Sequence, residues 1–147
     1  MRVLYRAEAV AEGGRSGHVR SSDGRLDLDL AVPDSMGGKG GEGTNPEELF
    51  AAGYAACFQS ALLASATGRH LDLSGSRVTA RVGIGPTGHG GFGLEVALDL
   101  SAHGQSREDA SSLMERAHQL CPYSNAVRGN VEVTLTVDGE ALVATSG

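Results

Sequence analysis

The chain has 147 residues, of which 40% are hydrophobic, and it carries a formal net charge of −6 at pH 7. This length suits one domain with one hydrophobic core, and we predict that the domain spans residues 1–147. The acidic balance and the scattered arginines argue against nucleic acid as a partner, because binding phosphates requires clustered lysine and arginine. No polybasic segment is present to hold an anionic membrane.

The N-terminus does not resemble a secretory signal, because Arg6, Glu8 and Glu12 interrupt any apolar run. We therefore expect a cytoplasmic protein. In that compartment two cysteines serve catalysis, redox sensing or metal binding more often than a permanent disulfide. The uncharged stretch at residues 49–66 has Gln59 and Ser60 near its middle, so we interpret it as a core helix rather than a membrane span.

Polar and apolar residues alternate in the first third of the chain, which predicts strands. The first predicted strand covers residues 3–9 and ends before a glycine-rich turn at residues 13–17. A hairpin signal at residues 21–24 then leads into an alternating segment at residues 25–32. In that segment the apolar side chains are expected to face the core and the aspartates to face water. The apolar set is Leu26, Leu28, Leu30 and Val32.

Asn45, Pro46 and Glu48 together predict the start of a helix. Asparagine is a favoured cap, proline fits the first helical position, and the acidic residue completes the spacing of a capping box. The helix is expected to run to about Thr67 and to stop at Gly68. Its residues are apolar or small on every side, so we predict a central helix that is buried all round.

The rest of the chain predicts strands at residues 77–84, 91–103 and 131–137. Between the last two, a helix is expected over residues 107–120, capped by Ser106, and Pro122 breaks or restarts it. Strands joined by hairpins do not form a doubly wound parallel sheet. We therefore predict an α+β fold in which antiparallel strands surround a buried central helix.

The two cysteines are the main candidates for chemistry. Cys57 lies within the first predicted helix, where a lone cysteine is ordinarily a small core residue. Cys121 changes this interpretation, because it ends a helix just before Pro122, where free backbone N–H groups can stabilise a thiolate. Two helical cysteines far apart in sequence are suited to forming and breaking a disulfide with each other.

Two further residues have alternative interpretations. His118 and Cys121 share a helix face and suggest zinc, but with Cys57 they supply at most three ligands and no CxxC or HxxxH pair supports them. We therefore expect no metal. Arg15 lies in a glycine-rich turn, where it is either an exposed hairpin arginine or a guanidinium directed at an anion. The residues themselves leave both possibilities open.

Two long segments resemble a known family. The segments GTNPEELFAAGYAACF at residues 43–58 and CPYSNAVRGN at residues 121–130 are similar to the signatures of the organic hydroperoxide resistance (Ohr) proteins of the OsmC/Ohr family. The GGRSG turn and the order of elements also match. Glu48 replaces the usual glutamine and Val127 the usual threonine. The CPYSN sequence favours the Ohr branch over the OsmC branch.

The resemblance implies an intertwined homodimer with two active sites at the interface. Cys57 is then the peroxidatic thiol, Cys121 the resolving thiol, and Arg15 and Glu47 the polar pair around the reactive sulfur. It also implies organic hydroperoxides as substrates and no bound cofactor. The reductant is the dihydrolipoyl group of a lipoylated protein, rather than thioredoxin or glutathione.

The chemistry of these residue types agrees with those roles. An adjacent Arg15 would lower the pKa of Cys57 and so raise the thiolate fraction at neutral pH. Glu47 would hold Arg15 through a charge-assisted pair. Apolar surroundings would favour alkyl and fatty-acid hydroperoxides over hydrogen peroxide. The candidate pocket residues are Phe50, Phe58, Met114 and Tyr123.

Helix geometry separates two of these residues. Glu47 precedes Cys57 by ten positions, which is about 15 Å along a straight helix. A glutamate side chain does not span that distance. If both residues serve one site, Glu47 is expected to come from the partner subunit, or Arg15 must bridge much of the distance.

Two other functions are alternatives. The first is an OsmC-branch peroxidase with a broader tolerance of peroxides. The second is a non-enzymatic redox-sensing or ligand-binding protein whose cysteines only change its shape. Catalytic turnover with a dithiol separates both enzymes from the sensor, and the ratio of alkyl to hydrogen peroxide rates separates the two enzymes.

Overall fold

In a computed structural model of the protein, which describes residues 1–144, Met1–Leu49 form one compact unit. Its core element is a three-stranded antiparallel sheet in the order β1-β2-β3. The strands are short because turn residues interrupt the alternating pattern at close intervals. Their bounds are Ala9–Glu12 for β1, His18–Ser21 for β2 and Asp27–Asp29 for β3.

Glycine shapes the connection between β1 and β2. Gly13 has a φ of 79°, in the left-handed region that glycine adopts without steric cost, and a single 3-10 turn follows at Gly14–Ser16. A Cβ atom on Gly17 would lie 1.8 Å from the carbonyl oxygen of Glu12, so only glycine fits there. The GGRSG segment therefore holds Arg15 in a tight and well-defined turn.

Two sequence-based expectations for this unit are wrong. Residues 3–8 do not belong to a strand, since β1 begins at Ala9. The extent of β1 is set by its pairing with β2, from Ala9 opposite Ser21 to Glu12 opposite His18. The alternating leucines of the second hairpin arm do not all reach a core either. Leu26 is 46% exposed and Leu28 is 37% exposed, whereas Leu30 is buried. A strand pattern identifies an apolar face but does not supply the layer that covers it.

A second compact unit begins at Phe50 and contains most of the helical and sheet structure. Helix α1 starts in the first unit and continues through this one. The side chain of Asn45 accepts the backbone N–H of Glu48 at 2.9 Å, which confirms the predicted cap. The elements are α1 (Pro46–Gly68), β4 (Arg77–Pro86), β5 (Phe92–Ser101), α2 (Arg107–Leu120), α3 (Pro122–Val127), β6 (Glu132–Val137) and β7 (Glu140–Ala141).

The four strands of the second unit form one sheet in the order β4-β5-β6-β7. The hairpin between β4 and β5 is antiparallel, as predicted, but β5 and β6 run parallel, with Val96 opposite Val133. The expectation of purely antiparallel strands is therefore wrong at this pair. Helices α2 and α3 lie between the two strands in sequence, and a crossover of this length is what a parallel pair requires. The α+β class is confirmed.

The core of the second unit lies between this sheet and the helices. Strand β5 contributes alternate residues, and α1 and α2 each contribute a stripe at helical spacing. Burying one such leucine or phenylalanine side chain contributes about 1.5–3 kcal/mol, so the helices and sheet stabilise each other. The fully buried large residues are Tyr54, Phe58, Leu62, Leu98, Leu100, Leu113 and Met114.

Helix α1 is buried on one face only, which corrects the prediction of burial on every side. Tyr54, Phe58, Leu62 and Ala66 are buried, whereas Leu63 on another face is 44% exposed. By length and composition this helix also meets the requirement for crossing a membrane, and no other helix of the described residues does. Its small side chains explain the wrong prediction, because alanine carries little information about which face a helix buries.

The ends of α2 agree with the sequence. Its predicted bounds and cap are confirmed, with the side chain of Ser106 accepting the backbone N–H of Asp109 at 3.0 Å. Pro122 restarts the chain as the short helix α3. Cys121 lies between the two helices with extended backbone dihedrals of φ −65° and ψ 124°, because a following proline disfavours the helical conformation.

One ion-pair cluster in the first unit gives a test of stability against pH. Both ring nitrogens of His18 bond to carboxylates, Nδ1 to Asp29 at 2.7 Å and Nε2 to Asp27. These bonds, first that to Asp29, raise the pKa of His18. A raised folded-state pKa means that the stabilisation is complete below the unfolded-state value and disappears as pH rises through the folded-state value.

We therefore expect His18→Gln to destabilise the protein at mildly acidic pH and to approach the wild type at alkaline pH. Glutamine resembles the neutral imidazole in keeping a hydrogen bond without a charge. Denaturant unfolding measures the difference in the free energy of unfolding between the variant and the wild type from about pH 5 to about pH 9. This pH range lies above the usual titration range of aspartate. His103→Gln, at an exposed histidine, is the matched control. A destabilisation that does not change with pH would contradict the charged pairing.

Candidate active site

The two cysteines meet in the second unit. Cys57 is carried by α1 beside its buried stripe, and Cys121 occupies the corner between α2 and α3. Both are free thiols, and the sulfur of Cys121 donates to the sulfur of Cys57 across 3.5 Å. A disulfide bond is about 2.05 Å long, so a small movement of either side chain would bring the two sulfurs to bonding distance.

The two thiols differ in their exposure. Cys57 is half-buried, whereas Cys121 is fully buried at 0% exposure. The backbone fixes Cys121 on both sides, since its N–H donates to the carbonyl of Ala117 at 2.8 Å and its carbonyl accepts the N–H of Asn125 at 3.0 Å. A small reagent arriving from solvent therefore meets Cys57 first.

The pKa of Cys57 is raised above its ordinary value. Burial is the largest cause, because it disfavours the charged thiolate. The backbone N–H of Tyr123 bonds to the sulfur and acts in the opposite direction. The lowering of this pKa by an adjacent Arg15, which the resemblance implied, stays a prediction.

Arg15 and Glu47 form a two-point ion pair in the first unit. Arg15 Nη1 donates to Glu47 Oε2 at 2.8 Å, and Nη2 donates to Oε1 at 2.7 Å. Glu47 lies in the first turn of α1 and its side chain is only 13% exposed, compared with 39% for Arg15. The bond from Arg15 lowers the pKa of Glu47, which is therefore charged at neutral pH. The catalytic roles of both residues stay predictions.

Three aromatic rings pack together next to the part of α1 that carries Cys57. Tyr123 packs against Phe50 with ring centroids 6.1 Å apart and against Tyr54 at 5.6 Å. Gly53 makes room for this ring, since a Cβ atom there would lie 2.7 Å from the Tyr123 hydroxyl. Phe50, Gly53, Tyr54 and Cys57 recur at helical spacing along α1, so one face of the helix carries both the thiol and its apolar neighbours.

The four predicted pocket residues divide into two pairs. Phe50 is half-buried and Tyr123 is 38% exposed, so both are accessible next to the thiols. Phe58 and Met114 are fully buried in the core of the unit. They support the wall from behind rather than present a surface to solvent. Whether any of the four contacts a substrate stays a prediction.

A hydrogen-bonded group near the cysteines was not foreseen from the sequence as a group. Ser124 Oγ lies 2.7 Å from the hydroxyl of Tyr54 and 2.8 Å from Nδ1 of His118. His118 was considered only as a zinc ligand beside Cys121. The described residues contain no group of three or more His, Cys, Asp or Glu side chains arranged to hold a metal ion. The available signal was spacing, because each of the three residues lies three positions from a cysteine.

Comparison with known proteins agrees with this geometry. The model of the OsmC-like protein family matches residues 38–136, which include both cysteines. This chain belongs to the OsmC-like family. The organic hydroperoxide resistance protein of Xanthomonas axonopodis pv. citri is 51% identical over 137 residues, covering 92% of this chain and 96% of that protein. The resemblance seen in the two signature segments is thereby confirmed.

Solved structures show the same OsmC/Ohr fold. An organic hydroperoxide resistance protein from Elizabethkingia anophelis is 50% identical with a TM-score of 0.89, covering 93% of this chain and 98% of that one. OhrB of Bacillus subtilis is 42% identical with a TM-score of 0.84, covering 92% of this chain and 100% of that one. The predicted OsmC/Ohr-like architecture is therefore confirmed.

Proposed function

We propose that this protein is a thiol peroxidase that reduces organic hydroperoxides. The observation that carries the proposal is the pair of free thiols 3.5 Å apart, one accessible and one buried, in a member of the OsmC/Ohr family. Relatives named for organic hydroperoxide resistance support a role in that response. The proposal assigns a chemical reaction to the pair.

Cys57 is the peroxidatic residue, because it is the thiol that solvent reaches. Its thiolate attacks the outer oxygen of the hydroperoxide, the O–O bond breaks, and the alkoxide leaves as an alcohol after taking up a proton. Cys57 is left as a sulfenic acid. The sulfur of Cys121 then displaces the hydroxyl group, giving a Cys57–Cys121 disulfide and water. This second step removes the sulfenic acid before a further peroxide oxidises it to sulfinic acid.

The apolar wall supports alkyl and fatty-acid hydroperoxides as the substrate class. The rings of Phe50 and Tyr123 are accessible and offer little to a small polar peroxide, and the buried ring of Tyr54 packs behind them. Each methylene group buried against such a surface contributes about 0.8 kcal/mol. Two of them change affinity about tenfold, because about 1.4 kcal/mol corresponds to that factor. Comparable rates on hydrogen peroxide would favour the broader OsmC-branch enzyme.

A second copy of the chain is proposed to complete the molecule as an intertwined homodimer. The sheet of the first unit leaves Val10, Leu26 and Leu28 exposed, and the segment before it exposes Leu4 and Tyr5. Soluble proteins rarely leave an apolar surface of this kind uncovered. Two-fold symmetry would bury it on both copies at once and would create two equivalent active sites.

The partner subunit is also the proposed source of positive charge at the reactive thiol. Burial raises the pKa of Cys57, so a fast nucleophile at neutral pH needs a cation that favours the thiolate. We propose that the partner subunit's Arg15 supplies it. Glu47 holds the guanidinium at two points and limits its freedom. The Arg15–Glu47 ion pair of one chain would then set the reactivity of Cys57 on the other chain.

The reductant is proposed to be a dihydrolipoyl group on a lipoylated protein, with no cofactor bound to the chain itself. A dithiol attacks one sulfur of the disulfide, forms a mixed disulfide, and releases itself by closing its own disulfide. Since Cys57 is the accessible sulfur, the first attack falls there and Cys121 leaves as the thiolate. A reducing cytoplasm is the compartment that suits this cycle.

Substitution of the two cysteines tests the reaction. Cys57→Ser should lose peroxide reduction to background, because it removes the attacking sulfur. Cys121→Ser should react once with cumene hydroperoxide and then accumulate sulfenic and sulfinic acid on Cys57, visible by mass spectrometry. Turnover is measured with dihydrolipoamide and with thioredoxin side by side, and on cumene and hydrogen peroxide. Full turnover by Cys57→Ser would refute the assignment, and no turnover by the wild type with any dithiol would favour the redox sensor.

Mixing an inactive variant with a weakened one tests the shared site. Cys57→Ser and Glu47→Ala are combined under conditions that allow subunit exchange. If Glu47 acts across the dimer, the heterodimer has one intact site and one site with both lesions, so activity returns. If it acts within its own chain, every site keeps one lesion. Absence of recovery, with exchange shown by mass spectrometry, would contradict sharing.

A further inference from the structure

The buried hydrogen bonds of Ser124 join three helices of the second unit. The serine hydroxyl on α3 lies 2.7 Å from the hydroxyl of Tyr54 on α1 and 2.8 Å from Nδ1 of His118 on α2. Tyr54 and Ser124 are both fully buried, and His118 is half-buried. A hydroxyl and an imidazole are costly to bury without partners, so these three groups depend on one another.

Each member of this group lies three residues from a cysteine. Tyr54 precedes Cys57 on α1, where residues three apart share a face. His118 at the end of α2 and Ser124 in α3 lie on either side of Cys121, which forms the corner between these helices. The hydrogen bonds therefore connect the same two parts of the chain that a Cys57–Cys121 disulfide connects.

The direction of the hydrogen bonds depends on the charge and on the tautomer of His118. Burial and the neighbouring Arg128 lower the pKa of His118, so the ring is neutral at neutral pH. Arg128 also donates to the backbone carbonyl of His118 at 2.5 Å. In the tautomer with the proton on Nε2, Nδ1 accepts, so Ser124 donates to His118 and accepts from Tyr54. Every proton in the chain of bonds then has one acceptor.

We propose that Tyr54, Ser124 and His118 form a clamp that holds Cys121 within reach of Cys57 and so sets the rate and equilibrium of disulfide formation. They are positioning residues for the resolving step. When peroxide drives disulfide formation, this role rests on the proposed peroxidase function; when another disulfide drives it, the role does not. Holding two reacting groups together raises their effective concentration. Without the clamp, α3 and the backbone around Cys121 would have more conformational entropy. Forming the disulfide would then cost that entropy.

Tyr54→Phe is the primary test, because it removes one hydroxyl and keeps the ring that packs against Phe50, Phe58 and Tyr123. The purified protein is equilibrated with mixtures of reduced and oxidised dithiothreitol, and the disulfide fraction is measured by trapping the free thiols. We expect the equilibrium constant for the Cys57–Cys121 disulfide to fall about tenfold, which is about 30 mV for a two-electron couple. Ser124→Ala should give at least the same loss.

Single-turnover kinetics separate positioning from general destabilisation. With one equivalent of cumene hydroperoxide, oxidation of Cys57 should stay within about twofold of the wild type, and disulfide formation should slow about tenfold with more sulfinic acid formed. The double variant Tyr54→Phe/Ser124→Ala should be no worse than Ser124→Ala, because both changes break the same connection. Ser65→Ala, whose buried hydroxyl bonds to Ala61 within α1, should change neither quantity.

The outcomes are distinct from those of the proposed function. If the wild type fails to reduce peroxide but the dithiothreitol equilibrium shifts in Tyr54→Phe, the function is wrong and the clamp stands. If both variants form the disulfide with the wild-type equilibrium and rate, the clamp is overturned. Equal slowing of both kinetic steps, or the same loss in Ser65→Ala, would also overturn it, since either would show a general effect on the fold.

Discussion

The approach of two sulfur atoms to 3.5 Å is the constraint on which the chemistry of this protein depends. One sulfur is carried by a long helix and the other by a corner between two shorter helices, 64 residues later in the chain. Neither segment holds that distance alone. The shared core, in which Phe58 and Leu62 of α1 and Leu113 and Met114 of α2 are fully buried, brings the helices together.

Burial at this position has two opposed effects. It shields Cys121 from solvent, which agrees with its proposed role as the resolving thiol. The same low-dielectric surroundings raise the pKa of Cys57 and reduce its thiolate fraction. The proposed reaction therefore needs positive charge at Cys57, and we propose the arginine held by Glu47 as its source. In the proposed dimer, reactivity would then depend on assembly.

The first unit has a different physical character from the second. Its three short strands expose apolar side chains, and its most ordered polar features are a two-point arginine–glutamate pair and a histidine between two aspartates. The second unit has a continuous core behind a four-stranded sheet. The charges and the exposed apolar side chains of the first unit agree with the proposed dimer contact, whereas the second unit holds the two thiols close together.

The sequence by itself determined the elements and the chemistry-bearing residues. Asn45, Ser106 and Pro122 marked helix ends through local hydrogen bonds and dihedral limits, which act within four residues and can be read directly. The two cysteine-centred segments identified the family. Tertiary structure decided the rest, because those features join residues far apart in the chain. They include the parallel pairing of β5 and β6, the exposure of Leu26 and Leu28, and the single buried face of α1. They also include the raised pKa of Cys57 and the bonds from Ser124 to Tyr54 and His118, since burial and long-range contacts exist only after the chain has folded.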